Sequence, residues 1–130
     1  MNYRDLEIIY EDNHLLVVNK PAGLLVHGDK TEDRALTDVV EDYIRYTYSK
    51  PGNVFVGLTH RLDRPVSGAT VFAKTSKGLT RINKSFQQKE VKKTYLAITR
   101  SQPEEFTGRL EHFLLKDTEK NRVKLFDKQK

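Results

Sequence analysis

Hydrophobic and polar positions alternate in short runs along most of this chain, and in two places the spacing lengthens to that of a helix. "LEIIYEDNHLLVVNKPAGLLVH" holds two alternating runs, Glu7 to Tyr10 and Leu15 to Asn19, separated by Asp12-Asn13. Alternation broken by a polar turn predicts two strands with a tight connection. Pro21 and Gly23 punctuate the exit. Leu36, Val39, Val40, Tyr43 and Ile44 then recur at helical spacing, with Asp38, Glu41 and Asp42 on the other side. That pattern predicts an amphipathic helix ending before Pro51-Gly52.

"NVFVGLTH" predicts a strand from Val54 to Thr59, and "GATVFAKT" another, with "THRLDRPVSG" as the loop between them. A second helix is expected from Ser76 to Gln88, where Leu79, Ile82 and Phe86 form an apolar stripe opposite Lys77, Arg81 and Lys84. "EVKKTYLAIT" is a further strand, and Arg109 to Leu115 and Arg122 to Phe126 are two more. Strands outnumber helices and several connections are short, so the fold class expected is α+β, a mixed, largely antiparallel sheet with two short helices. There is no repeat, low-complexity tract or linker, and residues 1–130 read as a single domain. The last strand runs almost to the C-terminus with no closing element after it. The expectation is a domain truncated at its C-terminus, whose open edge and exposed apolar face favour self-association.

Composition narrows the class. Hydrophobic residues at 37% and charged residues at 32% suit a polar globular domain, not a disordered chain. Cysteine is absent, which excludes disulfides and thiolate metal sites. No apolar run reaches membrane-spanning length, and "MNYRDLEIIYED" is not built like a signal peptide. A soluble cytoplasmic protein with no membrane partner is expected.

The net charge of +5 is unevenly spread. Residues 1–42 hold four Lys or Arg against ten Asp or Glu, a net of −6. Residues 71–100 hold Lys74, Lys77, Arg81, Lys84, Lys89, Lys92, Lys93 and Arg100 against Glu90 alone, a net of +7. Such a segment forms either an ordinary solvated face or a surface that attracts a polyanion; its closeness to the Thr59–Gly68 stretch favours nucleic acid.

That stretch carries the chemistry. Asp63 lies between Arg61 and Arg64 on a loop bracketed by Gly57 and Gly68 and stiffened by Pro65. A carboxylate flanked by guanidiniums stays ionised, which suits a nucleophile or charge stabiliser. The arginines can bind phosphates. The residues alone leave a structural ion pair equally open.

"HRLD", followed by Ser67-Gly68, resembles the signature of the pseudouridine synthases of the large-subunit RluA type. "VVNKPAGLLVH", Val17 to His27, is similar to the family's first motif, and "KKTYLA", Lys92 to Ala97, to its second. Three motifs in order make a specific signal over roughly the first 100 residues. Two departures stand beside it. Arg64-Pro65-Val66 replaces the family's usual Lys-Asp-Thr, and the third motif, Gly-Arg-x-His-Gln-Ile-Arg with its basic partner for the aspartate, is not found. "TGRLEH", Thr107 to His112, shares too little with it to be matched.

The resemblance implies isomerisation of uridine to pseudouridine in structured ribosomal or transfer RNA, with no cofactor and no metal. Asp63 would initiate the reaction, and Tyr95 would stack on the flipped base or move a proton. Tyr95 as a core residue of an alternating strand is the plainer reading. Arg61 would fill the vacated stack or hold a phosphate. His60, Arg64 and Lys20 would lie near the RNA, with Lys77, Arg81 and Lys84 on its backbone. A buried, satisfied histidine is equally open for His60, and for Lys20 so is support of the site. Two alternatives remain: a non-catalytic RNA-binding module, favoured by the missing third motif, and a metal-dependent nuclease using His27, His60 and Asp63, with Asp29 close to His27 as a weak further metal ligand.

Overall fold

The structure is a computed structural model and describes residues 1–28, 33–120 and 122–127. It divides into two compact units, Met1–Lys93 and Thr94–Lys130.

In the first unit a four-stranded sheet is built from β1 (Ile8–Glu11), β2 (Leu15–Lys20), β3 (Gly57–Leu58) and β4 (Gly68–Ala73), in the order β1-β2-β4-β3. Every pairing is antiparallel. Asp12 makes the β1–β2 connection by accepting the amides of His14 and Leu15, both at 2.7 Å. Leu16, Val18 and Lys20 face one side of the sheet, and the β2–β4 register places Phe72 and Thr70 beside them.

Helix α1 (Leu36–Thr47) covers that side. Leu36, Val39, Val40 and Ile44 form its buried stripe and join Leu16, Val18 and Phe72 in the core. Burying each such side chain contributes about 1.5–3 kcal/mol. The helix starts where backbone carbonyls meet its unpaired amides: Leu36 N–H donates to Leu25 O at 2.8 Å and Thr37 N–H to Val26 O at 3.0 Å. Asp38 accepts the Ala35 amide at 2.8 Å. The other side of the sheet carries α2 (Ser76–Gln87), capped by the Thr75 hydroxyl, which accepts the Gly78 amide at 3.0 Å. The close approach of Leu79 needs a glycine at position 57, where an added Cβ would lie 3.1 Å from the leucine side chain.

The second unit contains one hairpin, β5 (Phe113–Asp117) with β6 (Arg122–Phe126), in antiparallel register. Leu114, Leu115, Val123 and Leu125 are exposed on it.

The α+β class, both helices and the antiparallel sheet stand as the sequence predicts. Three strand expectations are corrected. Val54–Thr59 shortens to Gly57–Leu58, because beyond Leu58 the chain peels away and side chains take over the pairing. Arg109–Leu115 becomes Phe113–Asp117. "EVKKTYLAIT" forms no strand: Leu96 and Ile98 are fully exposed, and no neighbouring strand pairs with them among the described residues. Alternation makes a segment fit to pair, but a ladder also needs a partner. A 3-10 turn at Tyr3–Asp5, capped by Asn2, was not expected.

Candidate active site

The loop from Thr59 to Ser67 leaves β3, turns, and re-enters the sheet as β4. At its stem, Thr59 Oγ1 donates to Val71 O at 2.7 Å, and Val71 N–H donates to His60 Nε2 at 3.0 Å. At its tip, the Arg64 carbonyl accepts from Gly23 N–H at 2.7 Å and from Lys20 Nζ at 3.2 Å. Lys20 Nζ also donates to Leu24 O at 2.7 Å and to Pro21 O at 3.1 Å. Val66 N–H donates to Asp63 O at 3.0 Å and closes the turn. The "NKPAG" segment therefore grips the loop through main-chain atoms. Gly23 makes this possible at φ +88, a backbone region other residues rarely adopt.

Lys20 is 0% exposed. Three carbonyls use all three protons of its ammonium. Burial pushes the amine below its ordinary pKa, and the negative charge of Asp63 works against that fall. The expectation that Lys20 meets RNA is corrected: its head is enclosed by the loop it supports and has no path to a phosphate.

Asp63 is exposed, and its carboxylate has no hydrogen bond or ion pair among the described residues. An ion pair with Arg61 or Arg64 is therefore not what occupies it. Arg64 turns away, donating to Gly23 O at 2.9 Å and pairing with Asp33 at 3.0 Å. Arg61 is exposed and unpaired among the described residues. The loop thus carries a carboxylate and, two residues before it, a guanidinium, both exposed and without a hydrogen bond or ion pair among the described residues, with the buried Lys20 ammonium close enough to feel the Asp63 charge. That arrangement can attack an electrophilic carbon while holding a phosphate nearby.

The His60 ring tilts against Phe86 with centroids 5.4 Å apart, which brings the last turn of α2 to the loop stem. Burial lowers the His60 pKa and the charge of Lys93 lowers it further. Lys77, Arg81 and Lys84 are all exposed on α2, as expected. They are not equivalent: α2 starts beside the β1–β2 connection, where Arg81 lines a groove of about 250 Å³ with Asp12, His14 and Ile82. Lys74 is removed from the basic face altogether. Its ammonium is 2.5 Å from Glu11 and donates to Asp12 O at 2.8 Å and Tyr48 Oη at 3.0 Å.

Tyr95 belongs to the second unit, where its ring is exposed and carries no hydrogen bond among the described residues. Asp29 lies outside the described residues, and His27 is exposed. Among the described residues no three His, Asp or Glu side chains converge as a metal site would require. Sequence reasoning missed the parts played by Gly23, Thr59 and Lys93. All three lie inside quoted motifs, but the partners of the first two are backbone atoms, which leave no mark in a sequence.

The sequence profile described as RNA pseudouridylate synthase matches residues 14–130. The "Ribosomal large subunit pseudouridine synthase C" of Buchnera aphidicola is 36% identical over 118 residues, 91% of this chain and 36% of that protein. The "tRNA pseudouridine synthase C" of Vibrio vulnificus is 38% identical over 128 residues, 96% of this chain and 49% of that one. Its namesake in Vibrio cholerae is 43% identical over 103 residues, covering 77% and 39%. Among solved structures, "Human RNA Pseudouridylate Synthase Domain Containing 4" aligns with a TM-score of 0.58 at 28% identity, covering 68% of this chain and 33% of that one. The chain spans about a third to a half of the length of these relatives. A profile that takes in the Asp63 loop, the clamp around it and nearly all of the remaining sequence leaves one assignment: this chain belongs to the RNA pseudouridylate synthase family.

Proposed function

We propose that this chain carries the part of an RNA pseudouridine synthase that supplies the initiating carboxylate, Asp63. The observation behind this reading is an exposed carboxylate without a hydrogen-bond or ion-pair partner among the described residues, on a loop gripped at both stem and tip. In the reaction the N1–C1′ bond of a uridine breaks, the uracil turns, and C5 bonds to C1′. The C5 proton leaves and N1 regains one, so atoms balance without oxidant or reductant. The target must leave its stack to reach the site. Arg61 fills the gap or holds the flanking phosphate, and the outer face of α2 meets the RNA backbone. The relatives' names divide between ribosomal RNA and tRNA. The substrate class proposed is the structured RNA common to both.

The test is tritium release from RNA labelled at uridine C5, using the full gene product that contains this sequence. Asp63→Asn should reduce release to background while RNA binding survives. Near-wild-type release would overturn the assignment.

The absence of a Gly-Arg-x-His-Gln-Ile-Arg stretch favours a second reading for the 130 residues taken alone: RNA binding without turnover. The hairpin has apolar residues on both faces, with Leu114 and Leu125 on one and Phe113 and Leu115 on the other. A lone two-stranded hairpin is marginal in water. We infer that the isolated chain self-associates through this surface. Sedimentation and a turnover assay decide: a monodisperse monomer with full multiple turnover would refute both statements.

A further inference from the structure

The register Gly57↔Ala73, Leu58↔Phe72 makes Thr59↔Val71 the next rung of the β3–β4 ladder. That rung is not made by backbone. Val71 O instead receives the Thr59 hydroxyl at 2.7 Å, and Val71 N–H is received by His60 Nε2 at 3.0 Å. Two consecutive side chains satisfy both polar groups that the departing strand would have satisfied. Without them, peeling away would leave a donor and an acceptor in the sheet unpaired, at a cost comparable to a lost hydrogen bond each.

We propose that Thr59 and His60 form a side-chain clasp standing in for this rung, and that the clasp fixes the direction in which the Asp63 loop leaves the sheet. The two are positioning residues for the reaction proposed above, and the inference rests on that reading only for its effect on turnover. The clasp requires one tautomer. Nε2 must accept, so the proton sits on Nδ1, which has no partner among the described residues and can donate outward. A protonated ring would point a donor at the Val71 donor and open the clasp. α2 packs Phe86 against the ring and β4 presents Val71, neither of them titratable. Lys93 is the charge the ring feels, and burial acts in the same direction to keep it neutral. The sign follows: a histidine whose folded pKa is depressed contributes its stability fully above its unfolded value, about 6.5, and loses it as pH falls through the folded value.

The first measurement needs no activity. Long-range proton–nitrogen correlation on the wild-type 130-residue chain at pH 7.5 should show Nδ1–H for His60, and the Val71 amide should be protected from exchange. His60→Ala should speed Val71 exchange roughly five- to tenfold, the loss of one net hydrogen bond. His60→Gln, whose Oε1 lies near the Nε2 position, should restore much of the protection. In the full gene product His60→Ala should lower kcat with little change in KM, and His60→Gln should recover part of it. An Nε2–H tautomer at pH 7.5, or Val71 exchange indifferent to His60→Ala, overturns the clasp. The wild-type tautomer is decisive even if the alanine variant fails to fold. Wild-type protein without synthase activity but with the Nδ1–H tautomer and a protected Val71 would sink the proposed function and leave the clasp standing.

Discussion

Replacing Lys20 with methionine tests the clamp directly. Methionine keeps most of the buried volume and removes the ammonium. Three carbonyls then lose a donor. Arg64 O retains Gly23 N–H at 2.7 Å, while Pro21 O and Leu24 O keep no other donor among the described residues. Leaving a buried acceptor unsatisfied costs about 1–3 kcal/mol. Removing a buried charge recovers part of that loss. The net destabilisation expected is about 2 kcal/mol, and for a unit of this size each kcal/mol moves Tm by roughly 4–8 °C. Thermal melting of the 130-residue chain at pH 7 should therefore show a drop on the order of 10 °C, with faster exchange at the Gly23 amide. Lys20→Arg should fare little better, because a planar guanidinium cannot aim three donors at diverging carbonyls. A methionine variant melting within about 2 °C of wild type would refute the reading of Lys20 as the loop's support.

Glu11→Gln should cost about 2–3 kcal/mol at pH 7, since it leaves the Lys74 ammonium, 9% exposed, without its counter-charge. Burial alone would raise the Glu11 pKa, but bonds from Lys74, Tyr48 and Tyr43 overturn that and lower it. Its stability is complete above the unfolded value near 4.3 and lost as pH falls through the folded one, so the gap between urea midpoints of variant and wild type should narrow as the pH is lowered into the acid range; a gap that does not narrow would count against it. Gly78→Ala gains about 1 kcal/mol of helix propensity but sets a Cβ 2.9 Å from the His14 carbonyl. The clash should prevail by about 1 kcal/mol in denaturant titration, and a stabilised variant would show that the helix start can shift. Reversing charge at Lys77, Arg81 and Lys84 together should weaken binding to many RNAs in fluorescence anisotropy. Lys84→Ala alone should reduce the slope of log K against log salt by about 0.7–0.9, and a slope unchanged in both variants would leave α2 an ordinary solvated face.

Both helices were legible because each carries its own stripe: Leu36, Val39, Val40 and Ile44 in one, Leu79, Ile82 and Phe86 in the other. The β1–β2 hairpin was legible from alternation around Asp12-Asn13. Strand ends were not. β3 stops at Leu58 because Thr59 and His60 bond through their side chains, a choice that "VGLTH" does not reveal. Position 95 has the right residue for alternation, but pairing is a property of two segments and alternation is a property of one. At the site, Asp63 and Arg61 were visible as residue types. The role of Lys20 was ambiguous because a lysine in a sequence is charged whether or not it is buried, and only the three carbonyls around its head decide the matter. Lys74 counted toward the basic segment for the same reason, until Glu11 was found beside it.

The side chains that hold the loop take hold of backbone atoms, which every amino acid possesses. Lys20 and Gly23 grip the carbonyl of Arg64, and Thr59 and His60 grip the amide and carbonyl of Val71. None of these contacts reads the side chains at 61, 65, 66 or 67. Those positions can be exchanged without removing a contact of the frame that carries Asp63, and Pro65-Val66 is one such exchange, whereas the Arg64 side chain is itself held by Gly23 O and Asp33. Under the proposed function, substitution in the loop would alter which RNA is met while the frame around Asp63 stays the same, and grafting another relative's loop side chains onto this frame would be a rational route to redirecting it.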